Sequence, residues 1–166
     1  MSVPGFWLFI RSIIAIIVLP GFIAGYAPWR WFGLAGVALS SPDVGQGAAL
    51  AGIGAGAGIL LVCVWEFARS GRGTLAPIDP PKHLVVKGLY RYVRNPMYVG
   101  VLLILLGELG LVRTTTFLAY TLCFVVAVNV FVIGYEEPTL RRMFGDEYRR
   151  YCARVHRWIP TLPASE

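Results

Sequence analysis

The stretch Asn95–Thr114, NPMYVGVLLILLGELGLVRT, contains the pattern that decides the fold. Asn95 is a good N-cap residue, and Pro96 suits the first helical turn, where its missing N–H costs nothing, so we predict that a helix begins here. Its apolar residues run to about Leu111, and a second uncharged run, Thr114–Tyr135, begins almost at once. So short a connection predicts an antiparallel helical hairpin whose two outer ends lie on the same side.

The composition of the chain places this hairpin in a lipid bilayer. Hydrophobic residues make up 57% of the 166 residues and charged residues only 14%, whereas a soluble domain carries about 25% charged residues. Two further runs are long enough to cross the hydrocarbon core: roughly Phe6–Ala27, in which Pro20 and Gly21 predict a kink, and Val44–Trp65. We therefore predict an all-α, polytopic membrane protein with about four transmembrane helices.

Small residues in the Val44–Trp65 run indicate close helix packing. Gly52, Gly54, Gly56 and Gly58 lie two residues apart in this run, and small residues let another helix approach closely. We interpret this as packing within the chain. We treat the chain as one domain, with two spans in residues 1–66 and a second half, 67–166, that contains a basic loop, the hairpin and a tail helix.

The basic residues predict how the chain is oriented in the membrane. Twelve of the fifteen Lys and Arg residues lie in the 67–95 loop and in the tail after Glu137. The positive-inside rule places both regions in the cytoplasm, and the net charge of +6 then indicates anionic lipid headgroups as a partner and not nucleic acid.

The tail has the pattern of an amphipathic cytoplasmic helix from Pro138 to Val155, with a weak point at Gly145. Its apolar stripe consists of Leu140, Phe144, Tyr148, Tyr151 and Val155. Most of the arginines fall off this stripe, so we predict a helix that lies at the membrane surface.

The sequence lacks the signatures of common soluble enzymes. The three cysteines are widely spaced and form no CxxC pair, so we predict neither a disulfide framework nor a metal site. The glycine-rich stretch lies inside an apolar span and does not join a strand to a helix, which excludes a dinucleotide-binding motif, and no P-loop is present.

Two polar features lie at the outer ends of the predicted hairpin. The first is the entry segment, Gly88–Gly100, GLYRYVRNPMYVG, where a helix start offers unpaired N–H groups to an anion and Arg94 and Tyr98 add donors. The second is the pair Glu136 and Glu137, which we expect at the C-terminal end of the fourth helix and therefore near the entry segment. Arg and Tyr are also usual anchors at a membrane surface, but a basic half facing an acidic half favours a zwitterionic or cationic ligand.

Linked motifs across residues 72–160 resemble those of a known family. The family pattern is a basic segment ending in G-x-Y-x-x-x-R-H-P-x-Y-x-G, an apolar hairpin, a Glu-Glu pair, and L-x-x-x-F-G-x-x-Y-x-x-Y before a proline-containing tail. The matching residues are Gly88, Tyr90, Arg94, Pro96, Tyr98, Gly100, Glu136, Glu137, Leu140, Phe144, Gly145, Tyr148, Tyr151 and Pro160. In these motifs the chain resembles the membrane methyltransferases that include isoprenylcysteine carboxyl methyltransferase and the phospholipid N-methyltransferases.

The resemblance implies S-adenosylmethionine as methyl donor, bound on the cytoplasmic side, and S-adenosylhomocysteine as product. The positions implied to bind this cofactor are His83, Leu84, Gly88, Tyr90, Arg94, Asn95, Tyr98, Gly100, Glu136, Glu137, Tyr148 and Tyr151. It also implies that Glu136, Glu137 and Arg94 carry the chemistry. The acceptor is expected to be a membrane lipid or another lipophilic small molecule that enters from the bilayer and is methylated on nitrogen or oxygen.

Two positions depart from the family pattern. Asn95 stands where the family usually has histidine, and an amide neither becomes a cation nor acts as a general base, which excludes a mechanism that needs a base there. The segment 129–135, NVFVIGY, carries no arginine before the glutamates, whereas we expect one near the substrate carboxylate in the prenylcysteine enzymes. This weakens a prenylcysteine substrate in particular.

The sequence alone leaves two other hypotheses about function open. Size and topology also allow a four-helix membrane enzyme that uses glutathione or NADPH. In a third reading the chain is a non-catalytic membrane scaffold, the entry segment is an anchor, and the glycine-rich helix is the important surface. Bulky residues at Gly54 or Gly58 would then abolish function.

Overall fold

The computed structural model of this chain describes residues 19–37, 43–70, 84 and 86–161. The α-helices are α1 (Ala27–Trp31), α2 (Val44–Ser70), α3 (Pro96–Val112), α4 (Thr115–Phe131) and α5 (Glu137–Arg154). π-Helical segments at Phe22–Tyr26 and Val132–Glu136 precede α1 and α5, and 3-10 turns lie at Leu34–Gly36 and Gly88–Arg91. The described part of the chain contains no strand, which confirms the all-α class there.

Helices α3 and α4 form the predicted hairpin. Arg113, in the left-handed conformation (φ 52°), ends α3 where predicted, and the Thr114 hydroxyl accepts a hydrogen bond from the Phe117 N–H at 3.4 Å and caps α4. Asn95 occupies the N-cap position of α3, but its side chain does not cap the helix. The Asn95 amide donates instead to the carbonyl oxygen of Arg157, at 3.2 Å.

The fourth helix does not end at the two glutamates. The helical run is continuous over Thr115–Arg154, because the π-helical segment Val132–Glu136 accommodates an irregular turn and passes directly into α5. The expectation that Glu136 and Glu137 lie at a helix C-terminus is therefore wrong. The run bends later, at Gly145 (φ 50°, ψ −120°), which is the predicted weak point.

Helices α2 and α3 pack closely against each other where they cross, at glycine residues. A Cβ atom at Gly56 would lie 2.5 Å from the carbonyl oxygen of Gly100, and one at Gly107 would lie 2.5 Å from that of Ala49. Only glycine permits this approach of the two backbones. Gly54 and Gly58 take no part in this contact, since a Cβ atom at either would meet nothing within 4 Å.

Within the described residues, two helices are long and apolar enough to cross a membrane, Val44–Glu66 and the run that begins at Thr115, and the apolar α3 is shorter at 17 residues. Large apolar side chains on these helices face outward, such as Leu61 (70% exposed) and Val130 (67% exposed), as expected for surfaces in contact with lipid. In the run that begins at Thr115, we treat the uncharged part, up to Tyr135, as the membrane-spanning part.

The predicted first span is described only from Leu19 onward, and its earlier part lies outside the described residues. Its described end departs from helical geometry at Ala24 (φ −109°, ψ 26°), four residues after Pro20. The Tyr120 hydroxyl donates to the Ile23 carbonyl oxygen at 2.8 Å, and Phe32 packs edge-on against Phe117 with ring centroids 5.2 Å apart. These contacts dock the segment onto the hairpin.

The apolar stripe of the tail is a packing face within the protein. Tyr148, Tyr151 and Val155 are buried together. Leu84, from the C-terminal half of the basic loop, packs against them with Leu140, Phe144 and Cys152. This packing brings the tail helix against the entry segment.

Candidate functional site

The hairpin brings the entry segment and the glutamate pair together, as the sequence predicts. The Arg94 guanidinium donates from Nη1 to Oε1 of Glu137 at 3.0 Å, and the Tyr98 hydroxyl donates to Oε2 of Glu136 at 3.3 Å. Arg94 also donates to the Cys152 sulfur at 2.9 Å. The two motifs thus meet at the start of α3, at the edge of the apolar part of the bundle.

The Glu137 carboxylate is the centre of an arginine cluster. Arg157 binds it with two parallel hydrogen bonds, Nε to Oε1 at 2.7 Å and Nη2 to Oε2 at 2.9 Å, and Arg141 lies 3.7 Å from Oε2. Burial raises the pKa of Glu137, but the hydrogen bond from Arg157 and the charges of Arg94, Arg157 and Arg141 outweigh it and hold the pKa below its usual range. Glu137 is therefore an ionised, fully partnered carboxylate.

The neighbouring Glu136 has a different environment. Burial raises the pKa of the Glu136 carboxyl, the hydrogen bond from Tyr98 lowers it, and the charge of Glu137 raises it further, so the net shift is upward. Among the residues that the structure describes, no Lys, Arg or His side chain pairs with Glu136. Of the two acids, Glu136 is thus the one closer to accepting a proton at neutral pH.

A strap of non-helical backbone, residues 156–161, covers the entry segment. The Arg94 N–H donates to the His156 carbonyl oxygen at 2.9 Å, and the Thr161 N–H donates to the Tyr92 carbonyl oxygen at 2.8 Å. These bonds hold Arg157 over Glu137. The next strap residue, Trp158, donates from Nε1 to Oδ1 of Asn129 at 3.1 Å and packs edge-on against Tyr98 with ring centroids 6.3 Å apart.

Three of the four implicated tyrosines, Tyr90, Tyr148 and Tyr151, join the tail helix to the entry segment. The Tyr151 hydroxyl donates to the Tyr90 carbonyl oxygen at 2.7 Å, and the Tyr148 ring lies 6.1 Å from that of Tyr151. Burial raises the pKa of the Tyr90 phenol, and the nearby Cys63, Glu136, Tyr151 and Glu66 raise it further. The Tyr90 side chain therefore lies within electrostatic reach of acids from α2 and from the glutamate pair.

The remaining predicted binding residues fall in different places. His83 lies outside the described residues, and Leu84 packs on the tail helix. Gly88 has a left-handed backbone (φ 54°) and lies against the Glu66 carboxylate. Gly100 is not brought to the charged cluster, because it faces α2 at Gly56.

Sequence reasoning did not single out several residues of this site. Arg157 is one of six arginines in the tail, and nothing local distinguishes it from the others. Trp158 reaches the site through the strap and Cys152 through the bend of α5, and Asn129 of α4 is marked only by the hydrogen bond that it accepts from Trp158. Glu66 ends the apolar part of α2 as a lone acid, and this isolation was the one available signal.

The buried polar atoms without a hydrogen-bond partner among the described residues include two of opposite character at this end of the bundle: the donor Nε of Arg94 and the acceptor Oε2 of Glu66. Buried polar atoms are usually satisfied, so an unpaired donor and an unpaired acceptor need an explanation. A ligand that carries both an anionic and a cationic group, such as an amino acid, supplies the complementary partners. These residues therefore fit the amino-acid end of S-adenosylmethionine.

The fold and the site together define an all-helical integral membrane protein in which charged side chains collect at one end of apolar helices. The sequence profile described as phospholipid methyltransferase matches residues 47–147, so the chain belongs to the phospholipid methyltransferase family of membrane methyltransferases. This confirms the family to which the motifs pointed.

Three relatives illustrate the range of the similarity. An uncharacterized protein of Haemophilus influenzae is 44% identical over 64 residues, which cover 38% of this chain and 100% of that protein. A probable protein-S-isoprenylcysteine O-methyltransferase of Oryza sativa subsp. indica is 38% identical over 82 residues, 48% of this chain and 41% of the relative. The protein-S-isoprenylcysteine O-methyltransferase of Schizosaccharomyces pombe is 38% identical over 83 residues, 48% of this chain and 34% of the relative. The similarity thus spans less than half the length of the two named methyltransferases.

Proposed function

We propose that this chain is an S-adenosylmethionine-dependent membrane methyltransferase that acts on a lipid or another membrane-partitioned small molecule. The observation that carries the proposal is the meeting of Arg94 and Tyr98 with Glu136 and Glu137 at one end of the hairpin. Membership of the phospholipid methyltransferase family supports it. When bound, S-adenosylmethionine supplies a methyl group on a positively charged sulfur.

The charged cluster would hold the methyl donor by its polar end. The unpaired Nε of Arg94 is placed to donate to a carboxylate, and the hydroxyl of Tyr98 and the carboxylate of Glu136 offer further polar contacts at the same end of the hairpin. Glu137 acts differently, because its two oxygens are used by Arg94 and Arg157. We assign Glu137 the role of positioning these two arginines.

The two glutamates have separate roles toward the acceptor. An amine acceptor must lose a proton during methylation, and Glu136, whose pKa burial raises, is the group suited to take it. Glu137 is unsuited because its pKa is held low and its oxygens are occupied. A carboxylate acceptor needs no base, and in that case Glu136 serves only to bind cationic groups.

An apolar groove beside the site is suited to the hydrocarbon chain of the acceptor. Its volume is about 350 Å³, and it is lined by α2, the 3-10 turn, the start of α3 and the strap, among them Ile59, Val93, Val99 and Pro160. Val99 follows Tyr98 in α3, so a chain in the groove would end close to the charged cluster. We propose that the acceptor enters here from the bilayer, and that exclusion of water by the apolar walls and positioning of the two reactants favour methyl transfer.

Calorimetric titration of the purified protein in detergent micelles tests the proposal. We expect the wild-type protein to bind S-adenosylmethionine, Tyr98→Phe to bind it several-fold more weakly through loss of a hydrogen bond to Glu136, and Glu137→Ala to lose binding as Arg94 and Arg157 lose their common partner. Glu147→Ala, at an exposed tail position, is the matched control and is expected to bind normally.

Radiolabelled S-adenosylmethionine incubated with the protein and a total lipid extract then identifies the acceptor, and we expect label in a lipid fraction. The proposal fails if the wild-type protein does not bind S-adenosylmethionine, or if glutathione or NADPH raises its thermal midpoint and S-adenosylmethionine does not. Undiminished binding by both Tyr98→Phe and Glu137→Ala would leave the cofactor but remove these residues from its site.

A further inference from the structure

A third carboxylate, that of Glu66 in α2, reaches the entry segment. The Glu66 side chain packs directly against the Cα of Gly88, and a Cβ atom at position 88 would overlap the Glu66 carboxylate. Gly88 also has a left-handed backbone (φ 54°) that disfavours other residues. Position 88 therefore needs glycine for two reasons. A larger residue would overlap the Glu66 carboxylate, and the turn needs a left-handed backbone.

Glu66 lies on the same side of the molecule as the glutamate pair. The electrostatic fields of both Glu66 and Glu136 act on the buried Tyr90 phenol, and the Tyr90 carbonyl oxygen is held by Tyr151 of the tail helix at 2.7 Å. Tyr90 is thus within electrostatic range of an acid of α2 and an acid of the hairpin. The site described above extends to a helix that carries none of its motif residues.

The nearby arginines Arg94 and Arg157 already bind Glu137, which leaves two other carboxylates of the described residues without a basic partner. Arg94 and Arg157 are both bound to Glu137, whereas neither Glu66 nor Glu136 has a basic partner among the residues that the structure describes. Oε2 of Glu66 is buried and accepts no hydrogen bond from the described residues. A buried carboxylate oxygen in this condition is costly unless a ligand or water supplies the donor.

We propose that Glu66 binds the ammonium group of the methyl donor, with Gly88 keeping open the space that the carboxylate needs. This inference rests on the proposed S-adenosylmethionine site and adds to it a binding residue from α2. The ammonium donates a charge-assisted hydrogen bond to Oε2 of Glu66, and the carboxylate of the same amino-acid group lies toward Arg94. The site is then closed on one side by α2 and on the other by the tail helix.

Three related ligands separate binding of the ammonium from a structural role of Glu66. S-adenosylmethionine has both the ammonium and the charged sulfur, S-adenosylhomocysteine has the ammonium without that charge, and methylthioadenosine has neither. For Glu66→Gln we expect affinity for the first two to fall about tenfold to a hundredfold, the loss of one hydrogen bond to a charged group, and affinity for methylthioadenosine to stay unchanged. Glu147→Gln is the matched control and is expected to leave all three affinities unchanged.

Each other pattern in this titration overturns the inference. Equal losses for all three ligands make Glu66 a structural residue, and a loss confined to S-adenosylmethionine places the charged sulfur, and not the ammonium, at Glu66. Wild-type binding that Glu66→Gln leaves unchanged overturns the role of Glu66 alone, while the proposed function stands. A wild-type protein that binds none of the three ligands overturns both.

A second variant tests the role of Gly88 without changing the acid. Gly88→Ala places a methyl group where the Glu66 carboxylate lies and strains the backbone, so we expect the same selective loss of the two ammonium-bearing ligands. Gly145→Ala introduces strain at another positive φ (50°) with nothing within 4 Å of the new methyl group, and it should not change ligand selectivity. If Gly88→Ala and Gly145→Ala show the same ligand selectivity, the contact between Glu66 and Gly88 does not explain the loss of affinity.

Discussion

Two adjacent residues, Glu136 and Glu137, follow the apolar part of the fourth helix, and their carboxylates have different partners. Glu137 accepts hydrogen bonds from Arg94 and Arg157, and Glu136 accepts one from the neutral hydroxyl of Tyr98. Opposite charges lower the pKa of one acid, and burial raises that of the other. A pair that looks uniform in the sequence therefore provides one fixed charge and one titratable group.

We predict that Glu137→Gln destabilises the protein by about 2–3 kcal/mol at neutral pH, because two partly buried arginines lose their counter-charge. The folded-state pKa of Glu137 is lowered, so its contribution is complete above the unfolded-state pKa of about 4.3 and is lost as the pH falls through the folded-state pKa. Thermal unfolding in detergent, followed by circular dichroism from pH 7 downward, measures the difference between variant and wild type. The difference should shrink only below about pH 4.3.

Arg141→Gln is the control for this prediction. Arg141 also lies near Glu137, at 3.7 Å, but its side chain is 59% exposed, so its removal should cost less than about 1 kcal/mol. Equal destabilisation by Glu137→Gln and Arg141→Gln would contradict the central position of Glu137 in the cluster.

At the scale of the helices, the contact between α2 and α3 depends on which glycines face each other. Gly56 faces Gly100 across the crossing, and Gly107 faces Ala49. The spacing of two in the glycine-rich run puts Gly54 and Gly58 away from this contact. The interpretation of the run as internal packing therefore applies to one of its faces.

We predict that Gly56→Ala destabilises the protein by about 1–3 kcal/mol, since its methyl group would meet the Gly100 carbonyl oxygen at 2.5 Å. Gly54→Ala should instead be neutral or stabilising by up to about 1 kcal/mol, because it replaces a helical glycine without any contact. Both changes are compared by thermal unfolding in the same detergent. Destabilisation by Gly54→Ala as large as that by Gly56→Ala would show that both faces of the helix are packed.

The parts of this architecture that follow from local chemistry were predictable. The start of α3 at Pro96 and the turn at Arg113 depend on neighbouring residues, and the hairpin then requires Glu137 to approach Arg94. The role of Arg157 depends on a chain that returns over the entry segment, and that return is fixed by hydrogen bonds between residues far apart in sequence. The contact of Glu66 with Gly88 could not be predicted for the same reason.

At the scale of the whole molecule, the strap connects the end of the described chain to its middle. Residues 156–161 bond to the backbone of Arg94 and Tyr92, and Trp158 bonds to Asn129 inside the bundle. The charged cluster is therefore assembled from the entry segment, the hairpin and the strap, and Glu66 of α2 lies against Gly88 of the entry segment. All four would face the cytoplasm in the orientation that the distribution of basic residues predicts.

Cysteine labelling tests this orientation. In a variant with Cys63 and Cys123 changed to Ala and Cys152 to Ser, we predict that Arg91→Cys reacts with a membrane-impermeant maleimide only from the cytoplasmic side of sealed vesicles. Arg113→Cys, at the opposite end of the hairpin, should react only from the other side. Both positions are exposed. Labelling of both from one side would contradict the antiparallel arrangement across the membrane.

The strap also has a consequence for the order in which the site forms during synthesis. Arg157 emerges from the ribosome 20 residues after Glu137, the carboxylate that it binds. At roughly 5–20 residues per second this delay is about 1–4 s. For that interval the nascent chain contains Glu137 without its bidentate partner, so the hairpin is synthesised before its own charge cluster is complete. A nascent chain stalled within this window should therefore contain the bundle and lack the site.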